Sequence, residues 1–115
     1  MSKKYNNSYV PQIKHKKLPY PLITIIIKNY NLAKDQKFLN QILDDVYESI
    51  GVYFTYYDLF IWKTSSIEII SFYYAPEKHS KFHIMAIKEQ LNLLTETELS
   101  VKISIEENED YIEKH

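Results

Sequence analysis

Residues 53–74, YFTYYDLFIWKTSSIEIISFYY, contain two stretches rich in aromatic and β-branched residues, separated by the polar segment Thr64-Ser65-Ser66. Two such stretches around a short polar segment predict an antiparallel β-hairpin. The hairpin lies in the middle of the chain. The segments on either side of it therefore decide the architecture.

A strand and then a helix are predicted before the hairpin. Leu22–Ile27 is an apolar, largely β-branched run between Pro21 and a polar segment, which is typical of a strand covered on both faces. Residues 33–50 carry apolar side chains at helical spacing, and Gly51 follows as the expected helix stop. The predicted buried stripe of this helix comprises Phe38, Leu39, Ile42, Leu43, Val46, Tyr47 and Ile50.

A second helix and a last strand are predicted after the hairpin. The helix begins between Pro76 and Ser80. Its predicted buried stripe comprises Phe82, Met85 or Ala86, Ile87, Leu91 and Leu94. From Leu99 to Ile105 apolar and polar residues alternate, which predicts a strand with one covered face.

The resulting order, β-α-β-β-α-β, is typical of a ferredoxin-like plait. This α+β fold has a four-stranded antiparallel sheet with both helices on one face, which leaves an open face on the other side. A chain of 115 residues is long enough for one such domain. We expect the plait at residues 19–106, a basic flexible leader at 1–18 and an acidic tail at 107–115.

Composition excludes several classes of function. The chain has no Cys and no Arg, and Gly51 is its only glycine. Thiolate zinc sites, cysteine nucleophiles and glycine-rich phosphate loops are therefore excluded, and no cofactor is expected. The absence of Arg disfavours base-specific reading of duplex DNA. No apolar run reaches the length of a membrane span and no secretory signal is visible, so we expect a cytoplasmic or nuclear protein.

Candidate catalytic and metal-binding groups are few. His79 and His83 have i, i+4 spacing near Glu77, but no further ligand is visible at a suitable spacing, so no metal site is expected. Asp44, Asp45 and Glu48 lie on the predicted polar side of the first helix. We therefore expect a protein without catalytic activity.

Residues 20–106 resemble the RNA recognition motif. The segment Ile25-Ile26-Ile27-Lys28-Asn29-Tyr30 is similar to the motif on the first strand of that family, and Tyr73 followed by Pro76-Glu77 is similar to its passage from third strand to second helix. The resemblance implies an open sheet face on which aromatic side chains stack against RNA bases. In this chain Ile26, Glu68 and Ile70 occupy the positions of the three stacking aromatics.

The leading functional interpretation follows from this departure. Strand alternation predicts an apolar patch on the open face that comprises Ile26, Phe60, Trp62, Ile70 and Phe72. Exposed apolar patches usually mark protein interfaces. We therefore expect a noncatalytic adaptor that binds a protein partner through this face, within an RNA-processing or translation assembly. A shift of one residue in the strand register would instead send the set into the core.

Two other interpretations remain open from the sequence. One is single-stranded RNA or DNA binding through aromatic side chains of the hairpin, with a set of lysines that comprises Lys14, Lys16, Lys17, Lys28 and Lys63. The aromatic set for this interpretation is Tyr56, Phe60, Trp62 and Phe72. The other is an inhibitor of a host defence complex, encoded by a phage, virus or plasmid.

Overall fold

The predicted order of elements is confirmed. The structure, a computed structural model, describes residues 17–29, 34–96 and 100–106. Its elements are β1 (Leu22–Lys28), α1 (Gln36–Tyr53), β2 (Tyr56–Lys63), β3 (Ile67–Tyr74), α2 (Ser80–Asn92) and β4 (Ser100–Glu106), and a 3-10 turn, Leu93–Glu96, follows α2. The strands form one antiparallel sheet in the order β2-β3-β1-β4, so the fold is the α+β ferredoxin-like plait.

The register of the sheet assigns each strand residue to a face. In the middle of the sheet Ile25 of β1 lies opposite Ile70 of β3 on one side and opposite Ile103 of β4 on the other. Directly opposed residues point to the same face of a sheet. Ile25 and Ile70 belong to the core beneath the helices and Ile103 packs against it, so the open face carries the residues of opposite parity.

The core lies between the helices and one face of the sheet. α1 contributes the buried residues Leu39, Ile42, Leu43, Val46 and Ile50. α2 contributes Ser80, Ile84, Ile87 and Leu91, which recur at helical spacing. The three alternate residues of β4, Val101, Ile103 and Ile105, are only partly buried against this core, as expected for an edge strand.

The predicted position of Ile70 and Phe72 on the open face is wrong. Both side chains are fully buried in the core, and Glu68, which was expected on the same open face, is 1% exposed beside them. All eight residues of β3 are buried, because β3 lies between two strands and is covered on both faces. Its open-face side chains are those of the other parity: Ile67, Ile69, Ser71 and Tyr73.

A β-bulge determines which β2 side chains reach the open face. Tyr57 lies opposite Tyr73 and Phe60 lies opposite Ser71, so Asp58 and Leu59 both oppose one residue of β3. Asp58 has a φ of 54°, in the left-handed region that Asp tolerates better than most residues. The extra residue reverses the alternation. As a result Tyr57, Phe60 and Trp62 all lie on the open face.

The helices differ from their predicted patterns at four points, one of which is Phe38, predicted in the buried stripe of α1 but 40% exposed. α1 begins at Gln36, because the Asp35 side chain accepts a hydrogen bond from the Phe38 N–H (2.9 Å) and caps the helix there. It continues through Gly51, whose φ is not positive, so the expected glycine stop is wrong. On α2, Phe82 and Met85 are 68% and 56% exposed and the alternative Ala86 is exposed as well, because Ile84, which was not predicted, packs in one row with the predicted Ile87 and Leu91.

Within the described residues, neither helix combines the length and the apolar character that a membrane crossing requires.

Unequal losses of stability are expected from two Phe→Ala substitutions on neighbouring strands. Phe72→Ala removes a fully buried core side chain and should lower the free energy of unfolding by about 3–5 kcal/mol. Phe60→Ala, on the partly exposed open face of β2, is the matched control and should cost clearly less. Urea denaturation followed by circular dichroism measures both. Equal losses would contradict the register described above.

Gly51→Ala should stabilise the protein. A Cβ added at Gly51 meets no atom within 4 Å, and the residue is helical. Alanine there should raise the free energy of unfolding by up to about 1 kcal/mol, because Gly loses more backbone entropy in a helix. Ala86→Gly, at an exposed position inside α2, is the reverse control and should lower it by a similar amount. Both changes are measured from urea midpoints.

Candidate functional site

The open face of the sheet changes character from one edge to the other. Three rows of opposed residues cross all four strands, and each begins with a polar side chain on β4 and ends with an aromatic side chain on β2. Written from β4 to β2, the rows are Glu106, Leu22, Tyr73 and Tyr57; Ser104, Thr24, Ser71 and Phe60; Lys102, Ile26, Ile69 and Trp62. The β2 half of the face is therefore the candidate binding surface.

The open side of β3 is already covered by its neighbours. Ile69 is fully buried, with Trp62 and Ile26 opposite it on the two adjacent strands. In the next row the hydroxyl groups of Thr24 and Ser71 share a hydrogen bond of 3.0 Å, which pairs two polar groups within the sheet. A partner approaching this face meets the aromatic side chains of β2 before it meets β3.

The aromatic side chains of β2 have distinct surroundings. Tyr57 is 39% exposed and stacks on Tyr20, with ring centroids 5.1 Å apart and an interplanar angle of 9°. Trp62 is half-buried, and its indole N–H is buried without a hydrogen-bond acceptor among the residues that the structure describes. An indole N–H normally finds an acceptor when it is buried, so Trp62 differs in this respect from an ordinary core tryptophan.

The opposite side of β2 is also exposed. Leu59 and Ile61 are 38% and 46% exposed, and Tyr56 is similarly open, although its ring also packs edge-on against Phe72 with a centroid distance of 6.3 Å. No β2 residue belongs to the described core cluster. The helices therefore leave this strand uncovered, and β2 presents large apolar side chains on both faces of the sheet.

The structure brings together three of the five residues predicted for partner binding. Ile26, Phe60 and Trp62 lie on one half of the open face, whereas Ile70 and Phe72 lie on the other side of the sheet. The sequence analysis missed Tyr57, Leu59 and Ile61. Asp58 within an apolar strand was the signal of a bulge that could have placed Tyr57 on the open face. Leu59 and Ile61 alternate with Phe60 and Trp62 in any case, and their exposure depends on the helices leaving β2 uncovered.

The predicted set of nucleic-acid-binding lysines does not converge on one surface. Lys28 lies on the open face, whereas Lys63 lies on the opposite side, where its Nζ is 3.8 Å from Glu68 Oε1. Lys17 is exposed before β1, and Lys14 and Lys16 lie outside the described residues, as do most of the predicted leader and the acidic tail.

The two histidines of the α2 region contact aromatic rings. His83 stacks on Tyr53 with a centroid distance of 4.3 Å and meets the edge of Phe54 at 6.1 Å. His79 lies 6.1 Å from Phe82. Among the residues that the structure describes, no group of three His, Asp or Glu side chains could hold a metal ion.

Glu68 is a charged residue within the core. The Tyr47 hydroxyl of α1 donates a hydrogen bond to its Oε2, while Oε1 has no hydrogen-bond partner among the described residues. Lys63 supplies the opposite charge from the rim of the sheet, where it is 58% exposed. These contacts connect α1 to the β2–β3 hairpin, so Glu68 serves the fold and not an open site.

No family model and no curated protein matches the chain. Among solved structures, the chain is similar to a conserved protein from Methanosarcina mazei Go1, with a TM-score of 0.55, 18% identity, and coverage of 79% of this chain and 95% of that one. It is also similar to the de novo designed protein Foldit4, with a TM-score of 0.46, 14% identity, and coverage of 75% and 94%. At these identities the likeness to the M. mazei protein shows the fold alone.

Removing the Tyr47 hydroxyl should destabilise the fold. Tyr47→Phe withdraws the described hydrogen-bond donor to Oε2 of the buried Glu68, so the free energy of unfolding should fall by about 1–3 kcal/mol. Tyr53→Phe, at a half-exposed position on the same helix, is the matched control and should change it by less than about 0.5 kcal/mol. Urea denaturation compares the two. Equal effects would show that the Tyr47–Glu68 contact does not stabilise the protein.

Proposed function

We propose that this chain is a noncatalytic interaction module that binds a protein partner on the β2 half of its open sheet face. The observation that supports this most directly is the set of three rows that end in Tyr57, Phe60 and Trp62 at one edge. Aromatic side chains are enriched at the centres of protein interfaces, where charged residues are depleted. A partner with an apolar, weakly charged surface complements this half of the face.

Two features favour a protein over a single-stranded nucleic acid. A stacking platform presents the faces of its rings to bases, whereas Trp62 is half-buried with its indole N–H inside. Binding of the phosphate backbone also needs several cations along one surface, but Lys28 and Lys63 lie on opposite sides of the sheet. The resemblance to the RNA recognition motif supports a setting in an RNA-processing or translation assembly, which we include in the proposal.

Photo-crosslinking tests this function. With p-benzoylphenylalanine in place of Tyr57, irradiation of cells that express the full chain should give covalent adducts with a different protein, because this side chain lies at the aromatic edge of the open face. The same group in place of Phe82, which is 68% exposed on α2, is the control and should give few adducts. Mass spectrometry identifies the adducts.

Three results would contradict the proposal. The first is the absence of any adduct with another protein at position 57, and the second is an equal yield of the same adducts at position 82. The third is an adduct that nuclease treatment removes, which would favour the single-stranded RNA or DNA interpretation.

A further inference from the structure

The backbone of β2 has a hydrogen-bonding edge that β3 does not use. Residues of an antiparallel strand direct their backbone groups alternately toward the two sides of the strand. The Thr64 N–H donates to Ile67 O at 2.9 Å, so Thr64, Trp62 and Phe60 direct their groups toward β3. The N–H and C=O groups of Ile61 and Lys63 therefore point away from the sheet, where the described residues include no further strand.

The two edges of the sheet differ in the side chains next to their free backbone groups, and on β2 the bulge and the charged residues lie only at the two ends of an apolar segment. On β4 the open-face residues are Ser100, Lys102, Ser104 and Glu106, and polar or charged side chains discourage pairing with another strand. On β2 the segment Leu59–Trp62 is entirely apolar or aromatic. Leu59 and Ile61 are among its most exposed side chains. An uncovered apolar edge strand of this kind is a site for strand pairing.

We propose that β2 pairs antiparallel with β2 of a second copy of the chain, about a two-fold axis through Ile61. The two sheets then form one eight-stranded antiparallel sheet with all helices on the same side. This dimer forms through the backbone edge of β2 and leaves the outward surface of the open face available to another partner, although Phe60 and Trp62 also meet their counterparts in the second copy. The inference therefore goes beyond the proposed function and stands independently of it.

The two-fold register satisfies both the backbone and the side chains. Ile61 lies opposite Ile61 of the second copy, and its outward N–H and C=O groups form a reciprocal pair of hydrogen bonds. On the open face Phe60 lies opposite the second copy's Trp62, which joins two aromatic side chains on each side of the axis. Leu59 lies opposite the aliphatic stem of the second copy's Lys63.

A second copy fits this edge better than a strand of ordinary amphipathic character. Because β2 exposes apolar side chains on both faces of the sheet, its occupant must be apolar on both faces as well. β2 itself has that property, and β4, with its polar open side, does not. The bulge at Asp58 interrupts regular pairing at the N-terminal end of β2. It therefore limits the intermolecular pairing to residues 59–63 and fixes which residues lie opposite each other.

The oligomeric state of the full chain tests the dimer. Sedimentation equilibrium over a series of protein concentrations should show a shift from the monomer mass to twice that mass. Ile61→Lys places two like charges at the axis and should raise the dissociation constant at least tenfold. Met85→Lys makes the same type of change at a comparably exposed position on α2 and should leave it unchanged.

A single introduced cysteine tests the register. The chain has no Cys, so Ile61→Cys creates one thiol per copy. Opposed residues in a hydrogen-bonded pair have Cα atoms about 5.5 Å apart, within the range that a disulfide spans. Oxidation should therefore give a covalent dimer with Ile61→Cys but little with Leu59→Cys, which faces the second copy's Lys63, or with Met85→Cys.

A monomer mass at every concentration would overturn the dimer, and so would a dimer that Ile61→Lys does not weaken. Equal disulfide yields at positions 59, 61 and 85 would overturn the two-fold register. A monomeric chain that still forms adducts with another protein at position 57 would contradict the dimer but leave the proposed function standing. A dimer that forms no such adducts would contradict the proposed function but leave the dimer standing.

Discussion

The structure depends on the burial of β3, whose side chains are packed on both faces of the sheet. Ile70 and Phe72 point into the core beneath the helices, while Ile67 and Ile69 are buried on the open side. Each large apolar side chain buried in this way contributes about 1.5–3 kcal/mol. Its two neighbours, β1 and β2, supply the hydrogen bonds that its backbone needs once water is excluded. The helices, the aromatic rows and the exposed edge are all positioned relative to this strand.

The surroundings of β3 also explain two features that conflict with simple strand patterns. Glu68 occupies a core position because the Tyr47 hydroxyl and the Lys63 ammonium approach it from α1 and from the rim. The bulge at Asp58 and Leu59 gives β2 one more residue than β3 needs, so the alternation of β2 reverses within the strand. The bulge places three aromatic side chains of β2 on the open face. The contacts from Tyr47 and Lys63 hold the Glu68 carboxylate in the core.

The difference between the two edges of the sheet follows from the strand order. β2 and β4 are the two edges, but α2 and the core partly cover β4, whereas no β2 residue belongs to the described core cluster. The open face next to β4 is polar, and the open face next to β2 is aromatic. Both proposed interactions therefore involve β2. We propose a protein partner on its open face and a second copy of the chain on its backbone edge.

The amino-acid sequence by itself determined the element order, the fold class and most of the α1 stripe, because helical and strand periodicities are local and strong in those segments. It placed Ile26, Phe60 and Trp62 on the open face but could not place Ile70 and Phe72. The alternation of apolar and polar residues reveals the buried face of a strand only when its other face is exposed to solvent, and β3 is buried on both faces. Likewise the exposure of Phe82 and Met85 depended on which row of α2 packs against the sheet. Only the tertiary structure decided these points, because each depends on neighbours that are distant in the chain.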